Sequence, residues 1–236
     1  MATEGHDRRS DDVSRAALEW LEGERDVTTF ENMGPRYGIH TDRAFGVPMA
    51  RMKVLATQLG TDHDLATELW ASGWYEARIV ASMVDDANAV SPEQMDAWCD
   101  DFDNWAIVDT VCFNLFDRTA HAWSKVEQWA TNDREFVKRA GFALLWSLAL
   151  HDRTTTDDRF EHGLGLIERE AGDGRHLVDK AVGMALRAIG KRRPSLTVVA
   201  ISVAERLAAS EDPAVRRIGR PALNELGRST PTGRRA

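Results

Sequence analysis

The chain has 236 residues, 43% of them hydrophobic and 29% charged, which is enough apolar material to bury a substantial core and too much for a disordered chain. Two cysteines, Cys99 and Cys112, form no CxxC pair and no disulfide framework, so a reducing, cytoplasmic setting is expected. The formal net charge of -8 argues, taken alone, against nucleic acid as a partner.

Residues 1–12 carry no apolar stretch of the signal-peptide kind and read as a disordered tail. A first short helix is expected over 13–21, where Ala16, Ala17, Trp20 and Leu21 follow helical spacing. Between Met33 and Pro48 the breakers Gly34, Pro35, Gly38 and Gly46 predict an irregular loop. Pro48 then fits the first turn of a helix that runs to Leu59 and is closed by Gly60. Asp62 opens another through Trp70, and Gly73 separates it from a helix carrying Tyr75, Ile79, Val80 and Met83. Ser91, Pro92 and Gln94 make a strong start signal, with a serine N-cap, proline in the first position and glutamine placed for a capping box.

Asp103 or Asn104 begins the next helix, and six more are expected over 119–129, 132–150, 156–171, 176–190, 195–208 and 213–226. Alternation of period two never persists. The fold class predicted is therefore all-α, with about ten to twelve helices in one domain over 13–226 and a disordered basic tail over 227–236. Helices in hairpin succession suggest stacked pairs of HEAT-like type. No apolar run reaches membrane-spanning length, so no membrane partner is expected, and the chain is expected to be a monomer.

The stretch from Phe102 to Phe116 holds a carboxylate where helical periodicity would put only apolar groups. Phe102, Trp105, Asp109, Cys112, Phe113 and Phe116 share one sector, and Val108, Val111 and Leu115 form a second apolar stripe beside it. A carboxylate among aromatic rings must find a partner, neutralise itself or line a cleft. Arg139 stands in a similar position, on a face with Phe136, Ala143, Trp146 and Leu150. A buried Asp and Arg that merely satisfy each other in the core remain an equal alternative.

Other chemistries find no support. There is no phosphate-cradling or dinucleotide-binding glycine loop, no His-Glu-x-x-His and no GxSxG. His151, Asp152, Asp157, Asp158, Glu161 and His162 have the residue types of a metal site, but they lie at a helix end and in a polar loop, where such groups are usually solvated. No metal or cofactor is expected. Charge, however, is unevenly spread: residues 171–236 carry net +7 and residues 1–170 net -15. That asymmetry fits a region that meets a polyanion, or a set of solvated helix faces with an Arg-rich tail.

Five segments, in order, carry a resemblance. They are Phe45-Gly-Val-Pro-Met-Ala-Arg-Met-Lys-Val-Leu-Ala, Ala66-Thr-Glu-Leu-Trp-Ala-Ser-Gly-Trp-Tyr-Glu-Ala-Arg, Asn104-Trp-Ala-Ile-Val-Asp, Glu135-Phe-Val-Lys-Arg-Ala-Gly-Phe-Ala-Leu and Ala181-Val-Gly-Met-Ala-Leu-Arg-Ala-Ile-Gly-Lys. Together they resemble the DNA alkylation repair family of HEAT-like, AlkD-type glycosylases over roughly residues 33–225. The resemblance implies an α-helical HEAT-like repeat solenoid with a basic surface for duplex DNA, and hydrolysis of the N-glycosidic bond of N3- or N7-alkylated purines. It places the catalytic aspartate on Asp109, its preceding tryptophan on Trp105 and the third-motif arginine on Arg139. A second family tryptophan falls on Met184, which has no broad π-face. Arg187, Lys191, Arg192 and Arg193 follow it as expected phosphate contacts. Two other functions are compatible with the same residues: a DNA-structure-binding protein without catalysis, and a protein-interaction scaffold in which Asp109 and Arg139 form a structural pair.

Overall fold

Side-chain caps set many of the helix starts. Asp26, Asp62, Ser91 and Asn104 each accept a backbone N–H from the turn that follows, and Pro92 and Pro194 occupy first-turn positions where the missing N–H costs nothing. The computed structural model describes the backbone of residues 2–229 and the side chains of residues 11–228. Those residues form thirteen α-helices and one short 3-10 helix, Phe116–Arg118, with no strand among them. The all-α HEAT-like class expected from the pattern is the fold found.

The helices group into two compact units, one ending at His121 and the other beginning at Ala122. The first contains α1 (Ala2–Gly23), α2 (Val27–Tyr37), α3 (Met49–Leu59), α4 (His63–Ala71), α5 (Tyr75–Val84), α6 (Pro92–Asp100) and α7 (Trp105–Asn114). The second contains α8 (Ala122–Ala130), α9 (Glu135–His151), α10 (Asp157–Glu170), α11 (His176–Arg192), α12 (Pro194–Ala209) and α13 (Pro213–Ser229).

Three boundaries differ from expectation. Residues 2–12, expected as a tail, are the first turns of α1, and residues 227–229 complete α13; the rest of the expected C-terminal tail, 230–236, lies outside the described residues. The loop expected over 33–48 is helical as far as Tyr37. Asp26 caps α2 by accepting the Thr29 N–H, and Gly38, at φ 65°, closes it in the left-handed conformation. Pro35 sits in the last turn, so its missing donor removes a single helical bond and the helix survives.

The core of the first unit is aromatic. Trp70 of α4 and Trp98 of α6 stack with centroids 4.0 Å apart, and Phe102 and Phe116 pack around them. In the second unit α9 packs against both α8 and α11, and Phe142, Leu144 and Leu145 of α9 and Val182, Leu186 and Ile189 of α11 are fully buried. Gly141 permits the close approach of α8: a Cβ there would lie 2.5 Å from the Ala130 backbone nitrogen.

Candidate functional site

Asn104 begins the site. Its side chain accepts the N–H groups of Ala106 (3.1 Å) and Ile107 (3.0 Å), which makes Trp105 the first residue of α7 and puts Asp109 one turn further along the same face. The inward face of α7 is Val108, Val111 and Cys112, all fully buried. Trp105 and Asp109 are half-buried. Periodicity put Asp109 in the middle of an enclosed apolar sector; in the fold that sector is divided, with Phe102, Cys112 and Phe116 buried in the core and Trp105 and Asp109 half-buried on the cavity.

Both residues line a cavity of about 430 Å³ within the first unit, together with Tyr37, Tyr75, Glu76 and an apolar wall that includes Met33, Ile39, Val47 and Met52. Met33, Ile39, Ala44 and Ala106 form one buried cluster against which Tyr75 and Trp105 pack. The indole Nε1 of Trp105 donates to the Tyr37 carbonyl at 2.8 Å, holding the ring across the end of α2.

Glu76 is the residue that pattern reading missed. It is fully buried, and its carboxylate accepts the backbone N–H groups of Phe45, Gly46 (2.7 Å) and Val47 (3.2 Å). The Phe45–Val47 turn is thus folded onto a buried anion, as in the anion-binding nests made by successive N–H groups. Gly46 makes it possible: its φ is 80°, and a Cβ there would meet the Phe30 nitrogen at 2.7 Å. The sequence signal was the acidic residue in the first turn of α5, among apolar neighbours on a buried face. Burial pushes the Tyr75 hydroxyl up to about 12, and the charges of Glu76 and Asp103 add to the shift. Tyr75 is therefore a neutral hydrogen-bond donor at any physiological pH.

The remaining expected residues belong to the second unit. Arg139 is 3% exposed and its Nη1 donates to the Leu177 carbonyl at 2.5 Å, tying α9 to the first turn of α11. Met184 is half-buried on α11, with its sulfur 2.9 Å from Arg187 Nη2. Arg187 pairs with Glu225 of α13 at 3.1 Å, and Lys191 pairs with the same carboxylate. Arg192 turns the other way. Its guanidinium lies 4.2 Å from the Phe160 ring centroid and donates to the Ala149 carbonyl at 3.2 Å, so packing holds it. Arg193 pairs with Asp157 at 2.7 Å. Of the four expected phosphate contacts, Arg187 and Lys191 share a helix face with Met184, whereas Arg192 and Arg193 serve the α10 side.

Asp152 accepts the N–H groups of Thr154 and Thr155, both at 2.9 Å, and with Asp157 committed to Arg193 the acidic and histidine cluster is divided among local contacts. No group of three or more His, Cys, Asp or Glu side chains in metal-binding geometry occurs among the described residues. No helix among them is long and apolar enough to cross a membrane.

The chain has been compared with known proteins. No curated protein sequence matches it. A solved structure described as "a new family of proteins related to the HEAT-like repeat DNA glycosylases with affinity for branched DNA structures" superposes with a TM-score of 0.75 at 20% identity, over 91% of this chain and 94% of that one. That likeness is one of fold. The family described as DNA alkylation repair enzyme matches residues 17–210, a span that includes Trp105, Asp109, Arg139 and Met184. The chain belongs to the DNA alkylation repair enzyme family.

Proposed function

We propose that this protein is a DNA glycosylase that releases cationic N3- or N7-alkylated purines from duplex DNA. The observation that carries the reading is that Asp109 is half-buried and lines a cavity with Trp105 at its side. Two carboxylates and the faces of Trp105, Tyr37 and Tyr75 suit a planar cation, which aromatic faces and negative charge both attract.

In such a base the N9–C1′ bond is already weakened by the positive charge on the purine. As it breaks, the bonding pair moves to the base, which leaves neutral, and positive charge develops on the sugar. The Asp109 carboxylate stabilises that charge and orients the water that adds to C1′; the water's proton passes to solvent by way of the carboxylate. The product is an abasic site. Glu76 is occupied with three backbone N–H groups and does not enter the chemistry. Tyr75, raised to about 12, is too weak an acid to protonate a leaving group, so neutral lesions are poor substrates. Arg139 is carried over from the family resemblance as the third residue of the site, and Arg187 and Lys191 meet DNA phosphates.

A second reading has support of its own. Met184 stands where the family resemblance expects a tryptophan, and the structural relative is described by its affinity for branched DNA rather than by catalysis. On that reading the chain binds DNA structures without excising a base. One experiment separates the two: release of free methylated purine from alkylated duplex DNA by the wild type and by Asp109→Asn. Release by the wild type, reduced by at least ~100-fold in the variant, supports the glycosylase. No release from either, with salt-sensitive duplex binding retained, overturns it in favour of the binding protein, and absence of duplex binding at low salt removes both.

A further inference from the structure

Two hydroxyls interrupt the apolar wall of the cavity beside Asp109. Tyr75 and Thr110 both line it and are both half-buried, and neither hydroxyl has a hydrogen-bond partner among the described residues. We propose that Tyr75 and Thr110 determine specificity in this site: their hydroxyls hold the polar edge of an alkylated purine that has left the duplex stack and entered the cavity. The inference rests on the glycosylase reading and deepens it.

Both side chains are held in place. Tyr75 is the first residue of α5; its N–H donates to the Arg43 carbonyl at 2.8 Å, and its ring packs on the cluster of Met33, Ile39, Ala44 and Ala106. Glu76, the next residue, is buried beneath the Phe45–Val47 turn and fixes the start of the helix. Burial holds the Tyr75 hydroxyl neutral, at about 12, so it keeps its proton for donation. Thr110 follows Asp109 on α7, and its branched side chain has little rotamer freedom. Helical threonines commonly turn the hydroxyl back onto the preceding turn. Thr57 does so onto the Lys53 carbonyl at 2.8 Å and Thr67 onto the His63 carbonyl at 3.1 Å. Thr110 does not.

An apolar and aromatic wall with a few placed polar groups suits a flat molecule that is apolar on its faces and polar at its edge. The volume of about 430 Å³ falls among small-molecule pockets, which run from about 300 to 1,000 Å³. A purine has that form, and it reaches an enclosed site only by turning out of the duplex. Each hydroxyl donates or accepts by rotating, so the pair serves the O6 carbonyl of guanine and the N6 amino group of adenine alike. The site therefore reads a purine edge without choosing between the two bases.

Tyr75→Phe and Thr110→Val keep the shape of each side chain and remove its hydroxyl, and Thr57→Val, on the α3 surface, is the control. Free 7-methylguanine and free 3-methyladenine are titrated against the full chain by ligand-observed NMR, and single-turnover excision from methylated duplex is followed in parallel. Both bases are expected to bind the wild type and the control, and to bind each cavity variant about 2–10-fold more weakly. The maximal excision rate should fall by a similar factor, with affinity for undamaged duplex unchanged, which loss of folding would not produce. A wild type that binds neither base overturns the proposal, as do cavity variants that bind and excise like the wild type. Excision that persists in either of those cases leaves the glycosylase reading standing. Hydroxyl-dependent binding of both bases without release of any purine from DNA supports the pocket and overturns the glycosylase reading alone.

Discussion

Trp105 and Tyr37, separated by 68 positions in sequence, are joined by a hydrogen bond of 2.8 Å from the indole Nε1 to the backbone carbonyl. The bond fixes the ring of the first residue of α7 against the last residue of α2 and so sets the wall beside Asp109. Trp105→Phe keeps a π-face and loses the donor, and it is expected to lower stability by about 1 kcal/mol. Trp105→Ala removes the wall as well. Purine release should fall modestly in the first and severely in the second, and equal loss in both would show that the ring itself contributes nothing.

Met184→Trp restores the aromatic face that the family resemblance expects on α11. On the glycosylase reading, release of methylated purine should increase relative to the wild type, with duplex affinity unchanged or higher. A single-turnover excision assay checks it, and a drop in activity with intact folding would count against a substrate-facing role for this position.

Glu76 supports the site rather than the reaction. Glu76→Ala strands the N–H groups of Phe45, Gly46 and Val47 in a buried place, at about 1–3 kcal/mol for each unsatisfied group. A loss of several kcal/mol in chemical denaturation is expected. Glu76→Gln retains one acceptor oxygen and should lose clearly less.

Gly141→Ala offers a test in which two rules predict opposite signs. Helix propensity alone favours alanine by about 1 kcal/mol. The added Cβ, however, would lie 2.5 Å from the Ala130 nitrogen and 2.9 Å from the Trp129 carbonyl carbon, atoms of backbone that cannot turn aside. The variant should therefore be less stable by about 1–3 kcal/mol, read from its denaturation midpoint.

Asp173 makes acid stability measurable. The hydrogen bond from Arg175, with a further one from Lys138, outweighs burial and holds its carboxyl at about 2, below the ordinary 3.8. The folded state thus prefers the ionised form. Its contribution is fully present above about pH 4 and is lost as pH falls through about 2. Asp173→Asn should lower stability near neutrality and flatten this acid limb of the pH profile, as followed by thermal unfolding across the acid range.

Local chemistry determined much of the secondary structure. The Ser91 cap forms as its spacing predicts, with the hydroxyl accepting the Gln94 N–H at 3.1 Å, yet the Gln94 side chain leaves the capping box and donates to Asp85 at 2.8 Å. The first half of that motif depends on neighbours along the chain; the second was captured by a buried carboxylate from the preceding segment. For α2, the cap at Asp26 and the left-handed Gly38 were both legible, but Gly34 and Pro35 masked them, because breaker residues do not reveal that they fall in a last turn where they do little harm.

The sequence by itself determined that the chain is all-α, that Asp103 or Asn104 would start the helix of Trp105, and that Trp105 and Asp109 would share a face, since these follow from periodicity and capping within a dozen residues. Only tertiary structure decided which face of α7 meets the core and which borders the cavity, because that choice depends on α2, α3 and α5 as neighbours. It also decided the fate of the basic C-terminal third. Arg193 is neutralised by Asp157 and Arg192 is packed on Phe160, whereas Lys180, Arg187 and Arg217 gather around one cavity. A net charge counted along the chain cannot separate these cases, since pairing depends on which residues, some 30 to 40 positions apart, the folded helices bring side by side.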